Sequence, residues 1–79
     1  MYILGDIGNT ETKLCIVSKN DKILKKITFL SKSVTDRQLY SLFKKNKIQF
    51  NKIEKILFCS VVPNTFAIIK KFLSKKVKN

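Results

Sequence analysis

The string Asp6-Ile7-Gly8-Asn9-Thr10-Glu11-Thr12-Lys13 lies between two short apolar runs and limits the opening of this chain to strand, tight turn and strand. Tyr2 to Leu4 begins the first strand as a buried run, and Gly8-Asn9 is turn punctuation. From Thr12 to Val17 the residues alternate, with Thr12, Leu14 and Ile16 set against Lys13, Cys15 and Val17, the period of a strand with two unlike faces. Two readings of the turn stand side by side. As an ordinary hairpin, Gly8 and Asn9 supply positive φ and Asp6 accepts local backbone hydrogen bonds. As a phosphate loop, Asp6 at the strand mouth holds a hard cation through oxygen, the turn N–H groups face phosphate oxygens, and Lys13 adds a point charge.

The rest of the chain continues in short elements. A third strand is expected at about 22–30, after the turn-rich Ser18-Lys19-Asn20-Asp21, and the three strands should form an antiparallel meander. Ser31 to Val34 reads as a loop. Thr35 and Gln38 then make a capping box for a helix running to about Lys45, with Leu39, Leu42 and Phe43 on its core stripe. Residues 46–53 read as a polar connection. The run Lys55 to Val62 is almost continuously apolar, the pattern of a strand covered on both faces and paired in parallel. Pro63 stops it. Asn64 or Thr65 is expected to cap a second helix with Phe66, Ile69, Phe72 and Leu73 on or near one face, its cationic end at Ser74 to Asn79 suiting a helix C-terminus.

Composition narrows the class. At 79 residues the chain is at most one small domain with a marginal core, while 44% hydrophobic content and six Phe argue against disorder. Seventeen basic against five acidic residues give +12, which favours any polyanion. All but Arg37 of the basic residues are Lys, however, and base reading and bidentate phosphate contacts favour Arg, so nucleic acid is expected only as a non-specific partner. Cys15 and Cys59 lack metal-ligand spacing, His is absent, and both thiols are expected to be buried and inert. The start of the chain reaches a charge too soon for a signal peptide and no apolar run is long enough to span a bilayer, so the expected location is cytoplasmic, without membrane contact.

The string Asp6-Ile7-Gly8-Asn9-Thr10-x-x-Lys13, directly after an apolar strand, resembles the first phosphate motif of the sugar-kinase, heat-shock-protein and actin superfamily, and most closely that of the type III pantothenate kinases. A second segment, Lys55-Ile56-Leu57-Phe58-Cys59-Ser60-Val61-Val62-Pro63-Asn64, resembles that family's strand ending in Ser-Ser-Val-Val-Pro. Alone it is what any buried strand entering a helix would show; its weight lies in the pairing and order of the two motifs. The sequence departs from the family pattern at Gly5, where the family has an apolar residue, and at Cys59, where it has Ser.

The resemblance implies an α/β fold: a ribonuclease-H-like (actin-like ATPase) half domain in the order β-β-β-α-β-α, incomplete, with residues 1–79 forming the first part of the N-terminal domain and the second domain absent. It implies ATP-dependent phosphorylation of pantothenate, the first step towards coenzyme A, in a homodimer when full length. ATP, Mg²⁺ and a monovalent cation (K⁺ or ammonium) are the implied cofactors. Asp6 would act through the metal on the ATP phosphates, Asn9 and Thr10 would hydrogen-bond phosphate oxygens, and Lys13 would add positive charge. Ile7, Gly8, Glu11 and Thr12 would contribute backbone and loop shape. The family's Asp-x-Gly-Thr and Gly-Ala-Asp-Arg segments, the latter carrying the base and acceptor contacts, have no counterpart, so no catalytic base is assigned and the chain by itself is expected to lack turnover. The alternatives are a degenerate remnant that binds a partner through a bare sheet edge, and a small basic nucleic-acid-binding protein.

Overall fold

The computed structural model describes residues 1–77; of the expected cationic end at Ser74 to Asn79, Lys75 and Lys76 fall in the last turn of the second helix, and Lys78 and Asn79 lie outside the described residues. The elements are β1 (Tyr2–Ile7), β2 (Glu11–Val17), β3 (Ile23–Leu30), α1 (Asp36–Lys45), β4 (Lys55–Ser60) and α2 (Pro63–Lys76), with short 3₁₀ turns at Ser31–Ser33 and Phe50–Lys52. The result is a mixed α/β fold with one four-stranded sheet in the order β3-β2-β1-β4. β1, β2 and β3 form the expected antiparallel meander, and β4 returns parallel to β1.

The helices lie against one face of the sheet. Ile3 and Ile7 of β1, Leu14 and Ile16 of β2, and Ile27 and Phe29 of β3 meet Leu39 and Phe43 of α1 and Ile69, Phe72 and Leu73 of α2 in one buried cluster. Alternation on each strand delivers these residues to the same side. Thr12, Leu14 and Ile16 point inward as their spacing predicts, yet Cys15 and Val17 on the opposite face are buried too. Within β1, Ile3 is fully buried while Tyr2 and Leu4 are half-buried.

The other face carries no helix, and here β4 departs from expectation. It ends at Ser60 rather than Val62, and Leu57 and Cys59 are exposed instead of covered, because helices pack on one face only. Cys59 is therefore not a buried thiol, although Cys15 is. Both outer strands are free of further pairing among the described residues. β3 carries Lys25 and Lys26 along its edge, a charge pattern that discourages pairing with another chain; the sequence of β4 between Ile56 and Ser60 has no charge.

α1 starts as its sequence dictates: the Thr35 side chain accepts the Gln38 N–H at 3.1 Å, Asp36 sits in the first turn and Lys44 and Lys45 in the last. It ends in a Schellman motif. Lys47 adopts φ 57°, its N–H reaches the Lys44 carbonyl, and the Ile48 N–H reaches that of Phe43. Glycine normally fills this left-handed position, and its absence hid the cap in the sequence. Residues 46–53 are accordingly more than a polar connection. Ile53 is buried, and Phe50 stacks on Phe43 at 5.3 Å between centroids and meets Phe72 edge-on at 6.0 Å. α2 begins differently from expectation: Val62 is the N-cap without a side-chain bond, Pro63 occupies the first turn, and neither Asn64 nor Thr65 caps it. No described helix is long and apolar enough to cross a membrane.

Candidate functional site

Asp6 is the last outward-facing residue of β1, exposed on the open face of the sheet. Across the antiparallel pair it is in register with Lys13, and across the parallel pair with Ser60. The second pairing depends on an irregularity: Gly5 pairs with Phe58, but Asp6 pairs with Ser60, so Cys59 is left over in β4. A bulge of this kind re-aims the side chains that follow it. It turns the Ser60 hydroxyl to Asp6, where Oγ donates to Oδ1 at 2.7 Å.

Gly5, where the sequence departs from the family pattern, is accounted for by the same pair of strands. A Cβ there would lie 2.5 Å and 2.6 Å from two ring carbons of Phe58 and 3.1 Å from Leu14 Cδ2. The Phe58 ring thus fills the space that a side chain at position 5 would take, and it packs edge-to-face on Phe66 at 5.0 Å.

The β1–β2 loop, Gly8 to Thr10, is built differently from the hairpin expectation. Neither glycine has positive φ, and among the described residues Asp21 and Lys47 are the non-glycine residues that do, so Gly8 and Asn9 do not serve the turn in that way. Gly8 is required by close approach instead: a Cβ would meet the Glu11 carbonyl oxygen at 3.0 Å, the same oxygen that accepts the Gly8 N–H at 3.0 Å.

Beneath the loop lies a hydroxyl relay that the sequence did not reveal. Ser31 Oγ donates to the Gly8 carbonyl at 2.6 Å and lies 2.7 Å from Thr12 Oγ1. Since the Ser31 proton is used on Gly8, Thr12 must be the donor to Ser31. The Ser31 N–H also holds the Thr10 carbonyl at 2.9 Å, and Thr65 Oγ1 of α2 donates to the Ser31 carbonyl at 2.8 Å. Thr12, Ser31 and Thr65 are all buried, at 0%, 2% and 3% exposure, so each hydroxyl had to find a partner. Read as a loop residue, Ser31 is in fact the hub tying β2, the loop and α2. Thr12 and Thr65 stand 19 and 34 residues from Ser31, so no local pattern in the sequence marked the three as partners.

Of the eight residues singled out in the sequence, Asp6, Asn9, Thr10, Glu11 and Lys13 are exposed and Gly8 is half-buried. Ile7 and Thr12 are buried and act from below, Ile7 in the core and Thr12 through Ser31. With the Gly8 and Thr10 carbonyls drawn inward and the Gly8 N–H already used, the Asn9 and Thr10 N–H groups meet no acceptor among the described residues. Asp6 and Lys13, cross-strand neighbours, form no ion pair with each other among those residues. Residues 6–13 therefore combine two unused amide donors, two small polar side chains, the exposed Asp6 and Glu11 carboxylates and one ammonium group, the chemistry of an anion accompanied by a cation.

No described group of three or more carboxylate, thiol or imidazole side chains could enclose a metal. One carboxylate is nevertheless a fit for Mg²⁺, which keeps its waters and takes most of its remaining ligands from a phosphate substrate. A cleft of about 600 Å³, lined by residues that include Met1, Lys25, Lys47, Ile48 and Lys52, lies at the other end of β1. Its lysines are exposed, and it includes none of residues 6–13.

A sequence model of the type III pantothenate kinase family matches residues 2–79. Among curated proteins, the type III pantothenate kinase of Pelagibacter ubique (strain HTCC1062) is 44% identical over 82 residues, an alignment that takes in 99% of this chain and 32% of the relative. The chain spans about a third of the length of that relative.

Proposed function

This chain belongs to the type III pantothenate kinase family, and on that premise we propose that residues 6–13 are the ATP-phosphate half of a site at which pantothenate is phosphorylated. The observation that carries the reading is the anchoring of the loop: the Gly8 and Thr10 carbonyls are held from below by Ser31, which leaves the Asn9 and Thr10 N–H groups for an anion. Phosphoryl transfer asks a protein mainly for charge neutralisation and alignment, and preorganised donors supply both without reorganising as charge develops.

Within that reading each residue has a role. Asp6 would hold a divalent cation through an exposed carboxylate oxygen. When bound, the cation neutralises phosphate charge. Asn9 and Thr10 orient phosphate oxygens by amide and side-chain hydrogen bonds, and Lys13 adds a cation beside them. Gly8 allows the tight backbone approach, while Ile7 and Thr12 hold the loop to the core. Glu11 supplies the carbonyl that fixes Gly8. No residue of 1–79 is assigned as base or as acceptor contact. The sheet order β3-β2-β1-β4, a meander followed by a parallel strand, supports a ribonuclease-H-like half domain as the setting, with residues 1–79 as the first part of an ATPase-like domain.

The test is a titration of isotope-labelled chain with inorganic phosphate and with MgATP, followed by NMR. The Asn9 and Thr10 amides should shift first and saturate together. Shifts confined to the lysines of α2 would overturn the assignment and leave only binding driven by net charge.

A further inference from the structure

Resting on the reading of Asp6 as a cation-holding carboxylate, we propose that Ser60 is a positioning residue that makes Asp6 a one-oxygen ligand and so tilts the site towards Mg²⁺ over Ca²⁺. The Ser60 Oγ–H donates to Asp6 Oδ1 at 2.7 Å. That bond exists because the irregularity between Gly5 and Asp6 skips Cys59 and brings Ser60 into register with Asp6 on the same face. Without the skip, alternation along β4 would present Cys59 to the open face and turn Ser60 the other way.

The consequence follows from ligand chemistry. A hydroxyl proton on Oδ1 takes up lone-pair capacity there and lowers its basicity, so Oδ2 is the better donor to a metal. Mg²⁺ is content with one carboxylate oxygen in an octahedral shell, whereas Ca²⁺ takes more ligands at longer range and readily chelates both oxygens of one carboxylate. Chelation at Asp6 must compete with Ser60. The Ile7 carbonyl is the other acceptor near Ser60 Oγ, but at 3.5 Å it is too distant to compete with Asp6 for the single hydroxyl proton. Ser60 is exposed, so its removal leaves no buried polar group without a partner.

The experiment is performed on the 79-residue chain with ATP present, titrating Mg²⁺ and Ca²⁺ separately while following the Asp6 side-chain carboxyl carbon and the Asn9 and Thr10 amides by NMR. In Ser60→Ala the preference for Mg²⁺ over Ca²⁺ should narrow by about 3- to 10-fold, the size of one exposed hydrogen bond, mainly through tighter Ca²⁺ binding. Ser60→Thr, which keeps the hydroxyl and suits a strand, should retain the native ratio. An unchanged ratio in Ser60→Ala, with the Asp6 carbon still responding to both ions, overturns the positioning role and leaves the Asp6 assignment intact. A native chain whose Asp6 carbon responds to neither ion overturns both.

Discussion

Position 5 offers a test in which the sign of an effect is at stake as well as its size. Gly→Ala inside a strand ordinarily stabilises by about 0.5–1 kcal/mol, because glycine loses more backbone freedom on folding. Here the new methyl would sit 2.5 Å from a Phe58 ring carbon, against an ordinary contact of 3.4–4 Å, so the ring must retreat by roughly 1 Å. Overpacking of this kind costs about 1–3 kcal/mol. The lower half of that range applies, since Phe58 borders an open groove lined by Ile56, Phe66 and Leu73 into which it can move at the expense of its edge-to-face contact with Phe66. Gly5→Ala should therefore destabilise the chain by about 1 kcal/mol net, a loss of about 4–8 °C in Tm for a domain of this size. Phe58→Ala should cost about 2 kcal/mol, less than a fully buried Phe because its ring is only partly covered. In the Phe58→Ala background Gly5→Ala should reverse sign and stabilise by about 0.5–1 kcal/mol, a coupling of roughly 1.5–2 kcal/mol. Urea unfolding of the four proteins at one ionic strength measures this. If Gly5→Ala has the same effect in both backgrounds within about 0.5 kcal/mol, the Phe58 ring is not the reason for glycine, and the account of this departure from the family pattern is wrong.

Two further outcomes are expected. Lys47→Gly should raise stability by about 0.5–1 kcal/mol, because Lys47 is held at φ 57° in the cap of α1, where glycine carries no Cβ penalty; a lower denaturation midpoint would refute the cap assignment. Tyr2 donates its hydroxyl to Asp21 Oδ1 at 3.0 Å, and that hydrogen bond, followed by loss of solvent and the nearby carboxylate charge, raises the phenol pKa above its ordinary 10.0. A raised folded-state value means that its stabilising contribution is complete below the ordinary phenol range and disappears as pH rises through the folded value. Ultraviolet titration should find one tyrosine ionising earlier in Asp21→Gly, which preserves the left-handed turn, than in the native chain; coincident curves would refute the contact.

The element order and most boundaries could be read from local pattern, because strand alternation, the Thr35–Gln38 cap and the turn at Ser18 to Asp21 are decided by neighbours in the chain. The candidate site was legible in part. Asp6, Asn9, Thr10 and Lys13 stand at the surface, as polar residues around a turn do, but Gly8 serves close approach rather than positive φ. Ser31 was invisible because its partners are 19 to 34 residues away. Phe50 and the Lys47 cap were missed for a related reason: a polar-looking stretch carried no glycine to mark the helix end, and the aromatic contacts that give it a core role are with Phe43 and Phe72.

By itself, then, the amino-acid order determined where strands and helices form and which polar side chains the turn between β1 and β2 carries, since both follow from short-range backbone preference and side-chain chemistry. Only tertiary structure decided that β4 leaves one face uncovered and Cys59 exposed, that a skipped residue brings Ser60 to Asp6, and that three buried hydroxyls draw the loop carbonyls inward. Those features depend on register and on the burial of polar groups between elements distant in sequence, and a hydroxyl deprived of water takes whatever partner the packing brings within reach.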